Sequence, residues 1–177
     1  MAKEGKILES SIESSAKEQG VFYFRVRDVN PMAIKKGQSV PKNRYDALLF
    51  YKQHLLPVEM KSTKSKSISF DESIIKGYQI KSLQEAAKYD DVIPGFLFNF
   101  REPDNRVFFV HIDKFIEYKH IAENGIKEHT YASKVNKSSI PIGICEEIGV
   151  EVKGVKKKVN YRWYINRLID ELIAKGE

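Results

Sequence analysis

The sequence predicts an α/β protein in which a mixed central sheet is flanked by helices. Three observations indicate this fold class: an amphipathic pattern near the N-terminus, two neighbouring strand-like segments that favour a hairpin, and a second amphipathic pattern followed by apolar segments. Helix, strands, helix and strands in this order are typical of an α/β domain. A chain of 177 residues is expected to form one domain with a sizeable core.

The first predicted helix covers residues 4–18, where apolar side chains recur at about 100° per residue. Glu9 lies at the edge of its apolar face, and Gly20 is expected to end the helix. Residues 21–27 alternate aromatic and polar side chains, which predicts a strand. Residues 29–44 form a long loop, and loops of this length in a compact domain are usually functional or mobile.

Two strands and a helix follow this loop. Residues 45–51 and 55–61 have strand patterns, and the short polar segment between them predicts a hairpin. Asp71 or Ser73 is expected to cap a second helix that runs to about Tyr89.

The second half of the chain repeats the alternation of strands and helices. Residues 95–100 are continuously apolar, which favours a central strand, and residues 106–111 are its predicted partner. A short helix is expected over residues 113–120. Valines alternate with charges over residues 149–161, which predicts a hairpin, and aliphatic side chains between residues 168 and 173 indicate a terminal helix.

Composition excludes several classes of protein. The net charge of +6 favours a polyanionic partner without proving one. Cys145 is the single cysteine, so an internal disulfide framework and a cysteine-based zinc finger are excluded. No apolar run approaches the roughly 20 residues that span a bilayer, and the N-terminal segment lacks the pattern of a secretion signal. We therefore expect a soluble cytoplasmic protein without a membrane partner.

The most informative stretch lies in the predicted hairpin. Asp46 opens one strand, and Glu59 and Lys61 lie on the next. Residues two apart on a strand point to the same face, so Glu59 and Lys61 share a face. If the strands pair, Asp46 approaches Glu59, and two carboxylates face one point beside an ammonium group.

Such a grouping suits a hard divalent cation, and the absence of soft ligands favours Mg²⁺ or Mn²⁺ over zinc. Glu9, at the rim of the first helix, is a candidate for a further ligand. Gln79 lies on the buried face of the second helix, where its amide needs hydrogen-bond partners such as a metal-bound water or a phosphate oxygen.

Simpler interpretations of the same residues remain open. Asp46 is also compatible with a turn at the start of a strand, and Glu59 and Lys61 with a solvated strand face. Glu9 is compatible with an ordinary surface position, and Gln79 with a hydrogen bond to the backbone inside the core.

These residues resemble a known family. Asp46 followed by Glu59-x-Lys61 resembles the signature of the PD-(D/E)XK nuclease superfamily, and the wider pattern resembles Holliday junction resolvases of the RecU type, including phage-encoded ones. Similar elements occur in archaeal Hjc-type resolvases. The resemblance covers about residues 5–110 and includes these further motifs: Gly5-Lys6-Ile-Leu-Glu9, the strand Tyr23–Asp28, the core Val58–Thr63, Gln79 with Leu83, and the strand Gly95–Phe100.

The resemblance implies a single nuclease domain over residues 1–177. Its restriction-endonuclease-like core would cover about residues 5–120, followed by a C-terminal elaboration over about 121–177. The implied activity is metal-dependent hydrolysis of phosphodiesters in four-way DNA junctions by a homodimer, in DNA recombination and repair, without an organic cofactor. The implied catalytic residues are Asp46, Glu59, Lys61, Gln79 and Glu9, of which Asp46, Glu59 and Glu9 would bind Mg²⁺ or Mn²⁺.

Two positions depart from the pattern. Tyr45 replaces the proline before the aspartate, and Arg44 stands where RecU enzymes carry a threonine at the metal site. The basic loop before Asp46 occupies the place of the projection that enters the junction in the resolvases, although it is shorter than a full RecU stalk.

Basic and polar side chains around the site are candidates for phosphate contacts. For Arg25 the alternatives are packing against the sheet or pairing with a carboxylate. The candidates are Arg25, Lys35, Lys36, Arg44, Thr63, Lys64 and Lys66. A further lysine run over residues 153–158, followed by aromatic residues at 161–164, indicates either a DNA-contacting arm or a charged hairpin with core aromatics.

Three other functions remain compatible with the sequence. One is a restriction-like or repair endonuclease with the same core and a different DNA substrate. Another is a DNA-binding module that has the fold without catalysis, against which the intact acidic pair and lysine argue. The last is a structural basic protein, which would show no metal-dependent stabilisation.

Overall fold

The computed structural model describes residues 2–26 and 42–176, and of residues 2–4 the backbone only. These residues form five helices and ten strands. The helices are α1 (Ala2–Glu18), α2 (Gly77–Ala86), α3 (Ile112–Asn124), α4 (Ile142–Ile148) and α5 (Ile165–Ala174). The strands are β1 (Phe22–Arg25), β2 (Ala47–Tyr51), β3 (His54–Thr63), β4 (Ser67–Ser69), β5 (Gly95–Phe100), β6 (Arg106–His111), β7 (Ser139–Pro141), β8 (Val150–Glu151), β9 (Gly154–Lys156) and β10 (Tyr161–Trp163).

Six strands form the central sheet in the order β1-β2-β3-β5-β6-β8. β3 and β5 are parallel, whereas the other neighbouring strands in this sheet are antiparallel. Two small sheets, β4 with β7 and β9 with β10, lie outside it. The predicted mixed α/β fold is therefore confirmed.

The sheet separates two apolar clusters. On one face, α1, α5 and β10 pack against side chains such as Val58 and Met60 of β3. On the other face, α2, α3 and α4 pack against Phe96 and Phe98 of β5. We call these the α1 face and the α2 face. Alternation along each strand sends neighbouring side chains to different faces, and every residue of β5 is buried because both faces are covered there.

The predicted hairpin is present and is formed by β2 and β3. Its turn consists of Lys52 and Gln53, which have φ angles of 47° and 72°, and Tyr51 pairs directly with His54. Two successive residues with positive φ give a turn whose twist matches that of the flanking strands. His54, predicted to lie in the turn, is therefore the first residue of β3.

The predicted start of the second helix is wrong. Asp71 accepts a hydrogen bond from the Ser73 backbone N–H at 2.8 Å, which closes a local turn rather than a helix. The helix α2 begins only at Gly77, whose N–H donates to the Glu72 carboxylate at 2.9 and 3.0 Å. It ends at Ala86, short of the predicted Tyr89. Aspartate favours both local turns and helix starts, so the pattern alone did not distinguish them.

The predicted hairpin over residues 149–161 is also wrong in its bounds. β8 leaves this segment and pairs with β6, which makes it the edge strand of the central sheet. The hairpin consists of β9 and β10, with Gly154 opposite Trp163. The third helix is longer than predicted and reaches Asn124, after which Gly125 adopts the left-handed conformation that ends it.

Within residues 2–26 and 42–176, none of the helices combines the length and the apolar character that crossing a bilayer requires.

Candidate metal centre

Asp46 and Glu59 meet at the open end of the β2–β3 hairpin. The Asp46 N–H donates to the Val58 carbonyl at 3.0 Å, which holds Asp46 against β3 just before β2 begins. The Asp46 carboxylate accepts a hydrogen bond from the Met60 N–H at 2.8 Å, and its negative charge helps to raise the pKa of Glu59. The predicted approach of these two acidic side chains is therefore present.

Glu59 is a buried acid. Its side chain is 1% exposed, and this burial, followed by the negative charge of Asp46, raises its pKa to about 9. The ammonium group of Lys61 acts in the other direction but does not compensate. Without a cation, the Glu59 carboxyl therefore keeps a proton at neutral pH. Where a buried acid keeps its proton beside a second acid, a divalent cation can take the proton's place.

Lys61 and Gln79 complete a network around Glu59. Lys61 Nζ lies 3.4 Å from Glu59 Oε2 and 3.2 Å from Gln79 Oε1. Gln79 Nε2 donates to the same Glu59 oxygen at 2.6 Å, and its Oε1 accepts from the Lys76 N–H at the start of α2. The buried amide thus fixes both the acid and the lysine, and it ties α2 to β3.

Glu9 lies apart from this network. It belongs to α1, on the other face of the sheet, and its carboxylate forms an ion pair with Arg25 at 2.7 Å. Among the described residues, no three acidic, histidine or cysteine side chains form a group that could hold a metal ion. The structure brings Asp46 and Glu59 together and leaves Glu9 outside the pair. Of the two alternatives for Arg25, the structure shows pairing with a carboxylate, that of Glu9.

Tyr23 is a residue of this region that the sequence did not single out. Its hydroxyl is buried, and it has no hydrogen-bond partner among the described residues. Burial raises the pKa of this hydroxyl, and the charges of Glu9, Glu13 and Asp46 raise it further. A tyrosine in an aromatic strand gives no sequence signal that separates it from ordinary core residues.

The donor set fits a hard divalent cation with two protein carboxylates. Magnesium is usually bound by one or two carboxylates while the remaining positions are filled by water and phosphate oxygens. Asp46 and Glu59 supply that number of ligands, and Lys61 adds a positive charge beside them.

The other predicted phosphate contacts have varied positions. Arg44 pairs with Glu85 at 3.2 Å on the surface. Thr63 accepts a hydrogen bond from the Ser65 N–H at 3.0 Å in the turn that follows β3, where Lys64 and Lys66 are exposed. Lys35 and Lys36 lie outside the described residues.

The aromatic residues of the predicted C-terminal arm are buried to different degrees. Trp163 is buried, and its indole N–H donates to Ser11 Oγ at 3.0 Å. Tyr161 stacks on Trp163 with ring centroids 5.1 Å apart. The lysines of the segment remain exposed at residues 156–158. Trp163 is therefore a core aromatic residue, whereas Tyr161 is only half-buried and stays accessible beside the exposed lysines.

The chain is similar in sequence to a prophage-derived protein. The chain is 60% identical over 174 residues to the SPbeta prophage-derived uncharacterized protein YotM of Bacillus subtilis (strain 168), and the match covers 98% of this chain and 89% of that protein. No family model matches the sequence.

Among solved structures, the fold is similar to that of Archaeoglobus fulgidus Hjc, a Holliday junction resolvase from an archaeal hyperthermophile. The TM-score is 0.50 at 12% sequence identity, and the match covers 81% of this chain and 92% of that one. A likeness at this identity concerns the fold alone, and it agrees with the mixed α/β fold that the sequence predicted.

Proposed function

This chain belongs to the family of the prophage-derived protein YotM, and on that premise we propose that it is a metal-dependent endonuclease that resolves four-way DNA junctions. The observation that carries the proposal is the pair of Asp46 and the buried Glu59, held beside Lys61 and Gln79 at the end of a hairpin. The likeness of the fold to a Holliday junction resolvase supports the junction as the substrate.

Asp46 and Glu59 would hold one Mg²⁺ or Mn²⁺. When bound, the metal supplies positive charge to the phosphate and lowers the pKa of a coordinated water. Lys61 faces the same point and would bind a phosphate oxygen, stabilising the negative charge that grows during the reaction. Gln79 would act as a positioning residue, because it holds both Glu59 and the Lys61 ammonium.

The reaction is hydrolysis of a DNA phosphodiester. The oxygen of a water attacks phosphorus in line with the leaving oxygen, the bond to the 3′ oxygen breaks, and a proton passes to that oxygen. The products are a 5′-phosphate and a 3′-hydroxyl. Positioning and charge neutralisation supply most of the acceleration, so a small displacement of Lys61 or Glu59 should be costly.

Glu9 enters this proposal only through water. Its carboxylate is engaged by Arg25 at 2.7 Å and lies outside the Asp46–Glu59 pair, which does not fit a direct ligand. A water between Glu9 and the metal would keep the role that the resemblance implies.

Branched DNA would be held through phosphates. Lys64 and Lys66 follow the strand that carries Glu59 and Lys61, and their exposed ammonium groups suit contacts with the backbone. Arg44, Thr63 and the basic loop at residues 29–44 are further proposed contacts.

We also propose a homodimer, because symmetric cleavage of a junction needs two sites and a closed two-fold dimer supplies them. An apolar surface on β1 and β2 is suited to a second copy. Phe22 lies opposite Phe50, and Phe24 lies opposite Leu48, with the three phenylalanines 60%, 48% and 53% exposed in the order Phe22, Phe50 and Phe24. Tyr89, 70% exposed, borders the same surface.

These four aromatic side chains expose about 450 Å² in total, taking about 200 Å² for each complete side chain. That is roughly half of the 800 Å² that each partner buries in a stable complex. Sedimentation velocity should show a dimer, and Phe24→Glu should give monomers while Val159→Glu, at an 89% exposed position elsewhere, should not. A monomeric wild-type protein would contradict this part of the proposal.

The decisive experiment compares cleavage of a labelled four-way junction with cleavage of a matched linear duplex. Each DNA substrate is incubated with the wild-type protein in Mg²⁺, with the wild-type protein in EDTA, and with the variant Glu59→Gln in Mg²⁺. Glu117→Gln, at an exposed position on α3, is the matched control. Paired nicks on the junction alone, dependent on Mg²⁺ and lost only in Glu59→Gln, are expected.

Other outcomes separate the alternatives. Equal cleavage of both substrates would keep the nuclease and remove the junction specificity, which would favour a restriction-like or repair endonuclease. Tight binding without cleavage under any condition would reduce the protein to a non-catalytic DNA-binding module.

A further inference from the structure

A second site is suggested by a cavity of about 260 Å³ on the α1 face. It lies between α1, the segment after β3 and β5, and the β9–β10 hairpin. The residues that matter for its chemistry are Lys64, Arg101, Asn105, Asn160, Tyr161 and Trp163. Its volume is slightly below the roughly 300 Å³ at which pockets for drug-sized ligands begin, which limits the occupant to one small unit.

The polar lining of this cavity suits an anion. Lys64 and Arg101 are cationic, and among the described residues that line it none carries a carboxylate. Asn105 adds an amide whose oxygen is already used, because it accepts from Asn99 Nδ2 at 2.9 Å. Asn99 is 3% exposed and is itself held by Ser62. The Asn105 side chain therefore presents its amino group from a fixed position.

An aromatic wall completes the cavity. Tyr161 stacks on Trp163 with an angle of 15° between the rings. Trp163 is anchored by hydrogen bonds from its indole N–H to Ser11 and from its backbone N–H to Ser15, both at 3.0 Å. A flat, anchored aromatic side chain beside cationic groups is the combination that proteins use to bind single-stranded nucleic acid.

The cavity lies close to the proposed metal centre along the chain. Lys64 follows Lys61 by three residues, and the Arg101 N–H donates to the Thr63 carbonyl at 2.9 Å. Glu59 and Lys61 face α2, whereas the cavity lies on the α1 face, so a DNA strand that reached both would pass around the end of β3, where Lys64 lies.

We propose that this cavity is a subsite for one unpaired nucleotide of the bound DNA strand, with the phosphate at Lys64 and Arg101 and the base against Tyr161. The inference rests on the proposed function, because it assumes a DNA strand at Lys61. It adds to that function a preference for DNA that has an unpaired nucleotide close to the cleaved bond, as expected near a branch point.

The only tryptophan of the sequence is Trp163, so intrinsic fluorescence reports directly on this cavity. We would titrate the protein in EDTA with single-stranded oligothymidylate, with a fully paired duplex and with thymidine monophosphate, following Trp163 emission and, separately, the anisotropy of labelled DNA. The single strand is expected to change the emission at concentrations where it binds, and the duplex is not. A response to the mononucleotide would show that one nucleotide unit is sufficient.

Variants test which residues form the subsite. Tyr161→Leu should weaken single-strand binding at least five-fold, as expected for the loss of one base–aromatic stack, while Tyr51→Leu, at a half-buried tyrosine of β2 outside the cavity, should not. Lys64→Ala should reduce the slope of log affinity against log salt by about one, and Lys88→Ala should leave it unchanged. If Tyr161→Leu fails to fold, Asn105→Ala tests the same cavity from its polar side.

Bound single strand without any change in Trp163 emission, or equal losses in Tyr161→Leu and Tyr51→Leu, would overturn the subsite. Because these measurements are made without metal, they are independent of cleavage. Binding through the cavity in a protein that never cuts a junction would overturn the proposed function and retain the subsite. Cleavage of junctions with no response of Trp163 would overturn the subsite and retain the proposed function.

Discussion

The two faces of the central sheet use neighbouring residues of the same strand for different ends. On the α2 face, Glu59 of β3 is buried with a raised pKa beside another acid. On the α1 face, its neighbours Val58 and Met60 pack in an apolar cluster with α1 and α5. A buried acid disfavours folding unless it is paired, whereas buried aliphatic side chains favour it. The apolar packing on the α1 face therefore stabilises the sheet, and this stability offsets the free energy that burying Glu59 on the α2 face costs.

The largest expected effect is on the α2 face. Asp46→Asn removes one of the two proposed ligands while the amide oxygen can still accept the hydrogen bond from Met60. We expect cleavage of the junction to fall by at least about 100-fold, as for the loss of a group that stabilises charge in a transition state. Junction binding in an electrophoretic shift assay should be retained. Equal losses of binding and cleavage would contradict a metal role for Asp46.

The matching change on the α1 face should affect stability and leave the chemistry unchanged. Leu49 is 2% exposed and belongs to the cluster under α1. Leu49→Ala should lower the free energy of unfolding by about 2–5 kcal/mol, the usual cost of such a cavity. Urea denaturation measures this loss, and the cleavage rate of the remaining folded protein should stay near that of the wild type. A large loss of cleavage rate in the folded fraction would contradict the assignment of stability to the α1 face and of chemistry to the α2 face.

The free energy of unfolding should depend on pH because Glu59 has a raised pKa in the folded protein. Its pKa is about 9 in the folded protein and near 4.5 when unfolded, so between these values the folded state binds the extra proton. Raising the pH therefore favours unfolding, by up to about 1.4 kcal/mol per pH unit. This contribution to stability is complete below the unfolded pKa and is lost as the pH rises towards 9.

Thermal denaturation in EDTA from pH 5 to pH 8.5 checks this expectation, with Glu59→Gln as the variant that should flatten the profile. Mg²⁺ should restore stability at the alkaline end, because a ligand that binds only the folded protein stabilises it. A profile that Mg²⁺ does not change would count against the metal site.

The smallest expected effect concerns Glu9. Its ion pair with Arg25 is partly exposed, and such pairs contribute about 0–1 kcal/mol to stability. If Glu9 reaches the metal through a water, Glu9→Gln should lower cleavage about ten-fold, in the range of outer ligands. Glu13→Gln, on the same helix and paired with Lys17, should leave cleavage unchanged. Identical rates for both variants would remove Glu9 from the site.

The parts of this arrangement that could be predicted from the sequence are local ones. The alternation of residues 45–61 and the short turn within them determine the pairing of Asp46 with Glu59. Gln79 was placed on a buried helix face, and it is buried there. The start of α2 was missed because the Asp71 turn has the same residue preferences as a helix cap.

The parts that could not be predicted depend on contacts between distant segments. The pairing of Glu9 with Arg25 joins a helix to the neighbouring strand, and the choice between a direct ligand and an ion-pair partner is a matter of a few ångströms. β8 left its predicted hairpin because the edge of β6 was available to it. The cavity beside Tyr161 is formed by four segments far apart in sequence, and no single segment carries its pattern.

The two-residue turn at Lys52 and Gln53 also has a consequence for the order of folding. It joins Asp46 to Glu59 by closing a short loop, and short loops close at small entropic cost. The parallel pairing of β3 with β5 must wait for the longer crossover through α2. The acid pair should therefore form early in the folding reaction, and Gln79 should join it only when the crossover is complete.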